Sequence, residues 1–281
     1  MRPLTRLVVL APLVLALGGC ITSETLVKLK ADGSGTIEQT ILVNEKTIEM
    51  IPKMMAEAMG GGEVKSSSKG SSPLDAFDEE KLRAEAASLG EGVRFVSAEK
   101  ITRGDLKGAK VIYAFDDVNA LAIDQDPPAA ALGDAAPPGE DSAKDKLDFE
   151  LTRQPNGHAL VTVRFDEPKD TGPAPDAPSP GADDVPPGMQ AMMAQMFDGF
   201  RIAIDVEVDG QIVKTSSPFV EGSRVTVLEL DLGLLLRDPA NLKTLEKLGP
   251  GASVSEMIPL LKDIKGIKVN QPPLTIEFAG R

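Results

Sequence analysis

Tryptophan is absent from this chain of 281 residues, and cysteine, histidine and tyrosine each occur once. A single cysteine excludes any intramolecular disulfide, so the fold must be held by its core alone. The single histidine, His158, follows an Asn-Gly pair, where it reads as a solvated turn residue rather than the base of a Ser-His-Asp site. Aromatic residues reach only 4%, which leaves the core to Leu, Val, Ile, Ala, Phe and Met. Basic residues are also scarce: 30 Lys and Arg stand against 43 Asp and Glu, a formal charge of −13. A chain of that sign is a poor fit for nucleic acid, whose phosphates require a basic face. Long hydrophobic runs are missing too. The run Leu7–Leu17 has about half of the ~20 residues that a membrane-crossing helix needs.

Catalytic signatures are equally sparse. There is no Gly-x-Ser-x-Gly elbow and no phosphate-binding Gly-x-x-x-x-Gly-Lys-Ser/Thr loop. Ser66–Lys69 matches Ser-x-x-Lys only inside a Gly/Ser-rich stretch, without the companion motifs. The "DGSG" at Asp32 lacks the further acidic ligands of a calcium loop and reads as a tight turn. His, Cys and acidic residues show no metal-site spacing. The expectation is a protein that is not an enzyme and carries no cofactor or metal.

What the chain does have begins at its start. Arg2 and Arg6 precede the apolar run, and "LALGGC" (residues 15–20) ends in the sole cysteine. A short positive region, a short apolar region and small residues are the parts of a signal peptide, expected over residues 1–19. Gly18 and Gly19 let the chain lie extended for cleavage, and the Cys20 thiol is the nearby nucleophile able to accept a diacylglycerol. "LGGC" resembles the lipobox of bacterial lipoproteins. That resemblance implies thioether lipidation of Cys20, cleavage before it and acylation of the new N-terminus. Two other readings remain open, a secretory peptide cut elsewhere and an anchor left unprocessed. Two or three acyl chains anchor stably, because one binds only marginally and each buried methylene adds about 0.8 kcal/mol. In a Gram-negative cell, Ile21 in place of the aspartate typical of inner-membrane retention points to the periplasmic face of the outer membrane. Anionic lipid would repel the acidic body, leaving the acyl chains to hold it.

Two segments, 125–144 and 167–188, are rich in Pro, Ala, Gly and acid and lack apolar periodicity. They read as disordered insertions. Gly60–Ser72 reads as a Gly/Ser loop. The expected organisation is therefore a signal peptide, an N-terminal part 20–124, a linker 125–144 and a C-terminal part 145–281 that carries the insertion 167–188.

Between these segments strand patterns dominate. Apolar and polar residues alternate on both sides of a turn in Thr25–Val43, Val93–Phe115, Lys146–Phe165 and Phe200–Thr215, the pattern of four hairpins. Ser223–Leu232 and Ile267–Phe278 add further strands. Helices are expected at Glu45–Met59 behind an Asn44 cap, at Glu79–Gly90 behind Asp78 with Phe77 and Leu82 as a staple, and at Met189–Phe197. Two more follow Asp238-Pro239 and the capping box Ser253–Glu256. The expected fold class is α+β: an antiparallel sheet built from hairpins, with several amphipathic helices packed on it.

Two features remain as candidate surfaces. Asp205, Glu207 and Asp209 share one face of a strand, opposite Ile202, Ile204, Val206 and Val208, and read as the solvated side of a half-buried sheet. Methionine is concentrated in two expected helices, Met50, Met54, Met55 and Met59 in one and Met189, Met192, Met193 and Met196 in the other. With Phe197 the second set forms one apolar stripe. Methionine adapts to irregular contacts, so the stripes suit either a core or a binding surface for lipid or a partner helix. Copper binding through thioethers has no other support in the sequence.

The stretches "LKADGSGTIEQTILV" (29–43) and "YAFDDVNAL" (113–121), with the strands flanking Asp209-Gly210, resemble uncharacterised α+β bacterial lipoproteins of the LppM-like group. The resemblance implies a fold style and carries over no functional residue. The functional expectation is a lipid-anchored cell-envelope protein with a structural or interaction role, bound to membrane through Cys20 and partnered by envelope protein or lipid. Binding of lipid or another hydrophobic ligand through the Met-rich helices is the alternative.

Overall fold

The computed structural model describes residues 21–44, 79–124, 146–165, 197–238, 240–241, 261 and 264–280. Their strands are β1 (Ile21–Leu29), β2 (Gly35–Val43), β3 (Arg94–Arg103), β4 (Leu106–Phe115), β5 (Ala122–Asp124), β6 (Lys146–Arg153), β7 (Ala159–Phe165), β8 (Arg201–Val208), β9 (Gly210–Thr215), β10 (Val220–Glu221), β11 (Arg224–Asp231), β12 (Ile267–Val269) and β13 (Leu274–Gly280). Two short helices accompany them, α1 (Glu79–Glu85) and α2 (Leu232–Arg237). None of the described helices is long and apolar enough to cross a membrane.

Eight strands form one sheet in the order β10-β11-β8-β1-β2-β4-β3, with β12 on β11; five form a second in the order β5-β6-β7-β13-β9. In β1 every second residue is buried, from Ile21 through Ser23, Thr25 and Val27 to Leu29. That is what a period of two produces when one face is covered. The cover over the Val27–Leu29 half is the second sheet. Val27, Leu29, Ile37, Val111 and Val206 of the large sheet join Leu147, Val161, Leu274, Ile276 and Phe278 of the small one in a single core cluster. Its buried aromatic members are Tyr113, Phe115, Phe149 and Phe278, at 0%, 2%, 3% and 0% exposure.

The α+β expectation is corrected by this architecture, in which strands make up 60% of the described residues and helical turns 15%. The physical reason is what covers the sheet. Local capping and periodicity suggested helices for that task, whereas a second sheet of matching alternation takes it. Of the expected helices, Glu79–Gly90 forms as α1 followed by a 3-10 turn, Ala86–Leu89, ending at Gly90 with φ 142°. Leu82, Ala86 and Leu89 are its buried residues. The Glu45–Met59 helix, the 125–144 and 167–188 segments and Met189–Met196 lie outside the described residues.

Three expected hairpins form: β1–β2, β3–β4 and β6–β7. At the first turn the Asp32 carboxylate accepts hydrogen bonds from Ser34 N at 2.9 Å and Ser34 Oγ at 2.8 Å. The fourth does not. β8 and β9 lie in different sheets, so Asp209-Gly210 is a corner between them, with β9 paired to β13. A Cβ on Gly210 would sit 2.0 Å from the Ala279 carbonyl oxygen, which is why that corner takes glycine. The end of the expected strand Ser223–Leu232 turns instead into α2, capped by Asp231, whose Oδ1 accepts from Leu234 N at 2.9 Å.

The parallel pairing of β1 with β8 joins the N-terminal and C-terminal parts inside the large sheet. Its register, Thr22 with Arg201 through Leu29 with Val208, brings residues from both parts into the same core.

Candidate functional site

The strand registers align one end of the large sheet. Arg103 faces Leu106, Lys107 faces Val43, Val43 faces Ile21, Thr22 faces Arg201, and Arg201 faces Asp231. Six strands therefore start or finish at the same edge, and Ile21, the first residue of β1, is 3% exposed within it. Cys20 lies outside the described residues, but its neighbour in sequence is already part of the sheet. β1 has three strands on each side in the path β10-β11-β8-β1-β2-β4-β3, which places this point at the middle of the sheet.

The same end carries a compact substructure. Phe200 N donates to Phe197 O at 2.9 Å, and the two rings meet edge to face with centroids 6.1 Å apart. Leu232 N donates to Phe200 O at 3.0 Å, and Asp231 N to Gly266 O at 2.6 Å, which docks α2 onto the turn. Arg237 closes it with an ion pair to Asp198 at 2.5 Å. Leu235 is buried beneath, while Leu234 points outward and is 45% exposed.

The outer face of the large sheet carries linked charges. Arg201 on β8 bridges Glu24 on β1 and Glu229 on β11, the latter at 3.0 Å. Ala203 is the register partner of both Glu24 and Glu229, so the guanidinium spans a position occupied only by a methyl group. Lys268 reaches Glu229 at 3.1 Å, and Arg103 approaches Glu24 at 3.7 Å. Beside this chain Glu38 is held by Lys28 at 2.5 Å and Lys110 at 2.7 Å. Burial pushes the Glu38 carboxyl up, but the hydrogen bonds from Lys110 and Lys28 and their charges outweigh it and hold it below the usual range. Glu229 shows the same balance with Arg201 and Lys268.

The acidic trio on β8 separates in the structure. Glu207 pairs with Arg224 at 3.0 Å. Asp205 is raised, because burial outweighs its hydrogen bond to Thr226 and the charges of Arg224 and Arg201. Asp209 lies past the strand end, and its N–H donates to Leu29 O at 2.8 Å. Among the described residues no group of three or more His, Cys, Asp and Glu side chains is arranged to hold a metal ion.

His158 differs from its reading as a solvated turn residue. Its Nδ1 lies 2.8 Å from Glu277 Oε1, to which Asn156 Nδ2 also donates at 3.0 Å. The hydrogen bonds from His158 and Asn156 hold the Glu277 carboxyl below its usual range. Sequence reading could not find this cluster or the Arg201 bridge, since the partners are 119 and 177 positions apart. Alternation places each charged residue on a solvent face and says nothing about which strand lies next to it. The Met50–Met59 and Met189–Met196 sets remain outside the described residues.

No family model matches this chain, and no curated protein matches it. Among solved structures, the folded domain of the LppM protein of Mycobacterium tuberculosis is similar at a TM-score of 0.32 and 10% identity, over 94% of this chain and 92% of that one. A likeness at that level transfers neither site residues nor an activity.

Proposed function

We propose that this chain is a cell-envelope lipoprotein, tethered by acyl chains on Cys20, whose two-sheet body has a structural or interaction role and no catalytic one. The observation that carries the reading is that Ile21, the residue directly after the cysteine of "LGGC", is paired with Val43 inside the large sheet. A cleavage before Cys20 would leave the folded body whole and attach lipid at the sheet itself, with no spacer. The body suits contact rather than chemistry. Its large face is a set of paired carboxylates and cations held on a rigid sheet, and such mosaics favour specific orientation of a partner over strong binding. Envelope protein and lipid are the partner classes, and in a Gram-negative cell the periplasmic face of the outer membrane is the proposed site.

The test is metabolic labelling with a radioactive fatty acid, comparing wild type with Cys20→Ser. Label in the wild type and none in the variant supports the anchor. Label retained in Cys20→Ser, or a mature N-terminus at another residue, overturns it.

A further inference from the structure

We propose that the end of the large sheet formed by the Phe197–Phe200 turn, α2 and the β3–β4 hairpin is a membrane-facing rim that rests on the lipid headgroup layer. This orientation depends on the anchor at Cys20 proposed above. Ile21 is already in the sheet as the register partner of Val43, so only one peptide unit, about 3.8 Å between Cα atoms, separates the tether from the fold. A protein held by a long spacer can tumble above a bilayer. One held by the middle strand of its sheet cannot lift that end away, and its position at the centre leaves the rim on both sides of the anchor equally close.

The side chains on that end fit such a surface. Leu234, at 45% exposure, is one of four large apolar residues left in solvent among the described residues. Phe197 and Phe200 are half-buried in the turn that α2 docks on, and aromatic and leucine side chains are suited to the boundary between headgroups and acyl chains. Arg103 and Arg237 stand on the same end with side chains 58% and 55% exposed, as donors for lipid phosphate. Asp105, Asp198 and Asp231 outnumber them by one, a small excess beside the formal charge of −13 on the chain as a whole. An acidic body is repelled by anionic lipid, and the end that must approach it is the one relieved of that repulsion.

The experiment uses full-length lipidated protein reconstituted in vesicles of phosphatidylethanolamine and phosphatidylglycerol. Acylation consumes the only native thiol, so one added cysteine is a unique labelling site. A fluorophore is attached at Leu234→Cys or Asp105→Cys on the rim, or at Glu91→Cys, an exposed turn near the opposite end, and quenched by lipids with a nitroxide near the headgroup. Both rim labels should be quenched several-fold more than the Glu91→Cys label, with circular dichroism unchanged. Equal quenching at all three positions, on protein whose intact mass shows an acylated Cys20, overturns the rim while leaving the anchor standing. An intact mass without acyl chains overturns the anchor and this orientation with it.

Discussion

Single residues decide how close the strands of the large sheet can run. A Cβ on Gly108 would fall 1.8 Å from the Ile41 carbonyl oxygen on the neighbouring strand, which is backbone and cannot swing aside. Gly108→Ala should therefore destabilise the fold by about 1–3 kcal/mol, read as a lower urea midpoint. Two carboxylates should show opposite pH behaviour. Glu38 is held below its usual range, so its contribution is complete above the unfolded-state pKa and is lost as pH falls through the folded one. Glu38→Gln should cost up to about 1 kcal/mol at neutral pH, with the difference from wild type vanishing in acid. Asp205 is raised by burial, so its charge opposes folding, and that opposition is relieved as pH falls from the folded pKa towards the unfolded one. Asp205→Asn should be at least as stable as wild type at neutral pH, and its advantage should shrink on acidification. Melting curves across the carboxylate range check both signs.

At the scale of elements, turns and caps set where strands stop. Asp231 ends β11 and caps α2 with one hydrogen bond to Leu234 N. Asp231→Ala should cost about 1 kcal/mol and speed amide exchange in α2, while Asp231→Asn, which keeps an acceptor, should lose much less. Which elements were legible in the sequence follows from the range of the forces that specify them. The β1–β2, β3–β4 and β6–β7 hairpins are visible because alternation and a turn-forming glycine are local. The corner at Asp209-Gly210 carries the same local signal as a hairpin, and its outcome is decided by β13, which offers β9 a partner in the other sheet. The pairing of β1 with β8, the Arg201 bridge and the His158–Glu277 contact depend on neighbours more than a hundred positions away, which periodicity does not encode. α2 was hidden because "LELDLGLLLR" continues the apolar pattern of β11 until the Asp231 cap redirects it.

For the whole molecule the decisive fact is one core shared by two sheets. Phe278 of β13 and Leu29 of β1 are 0% and 1% exposed and belong to the same cluster. Phe278→Ala should cost about 3–5 kcal/mol, a large fraction of the 5–15 kcal/mol typical of a domain. Because neither sheet keeps its buried face without the other, the loss should appear as one cooperative calorimetric transition at lower temperature. Two separated transitions would show that the sheets are independent units.

The parallel pair at the centre of the large sheet also orders the events of folding. As the chain emerges N-terminus first, β1, β2, β3 and β4 can pair with one another at once. The other edge of β1 then stays bare until β8 arrives, Glu24 and Arg201 being 177 positions apart. Closing so long a loop is slow, and an unpaired strand edge is a template for the wrong neighbour. The nascent protein thus passes through a stage in which its future midline is an open, adhesive border.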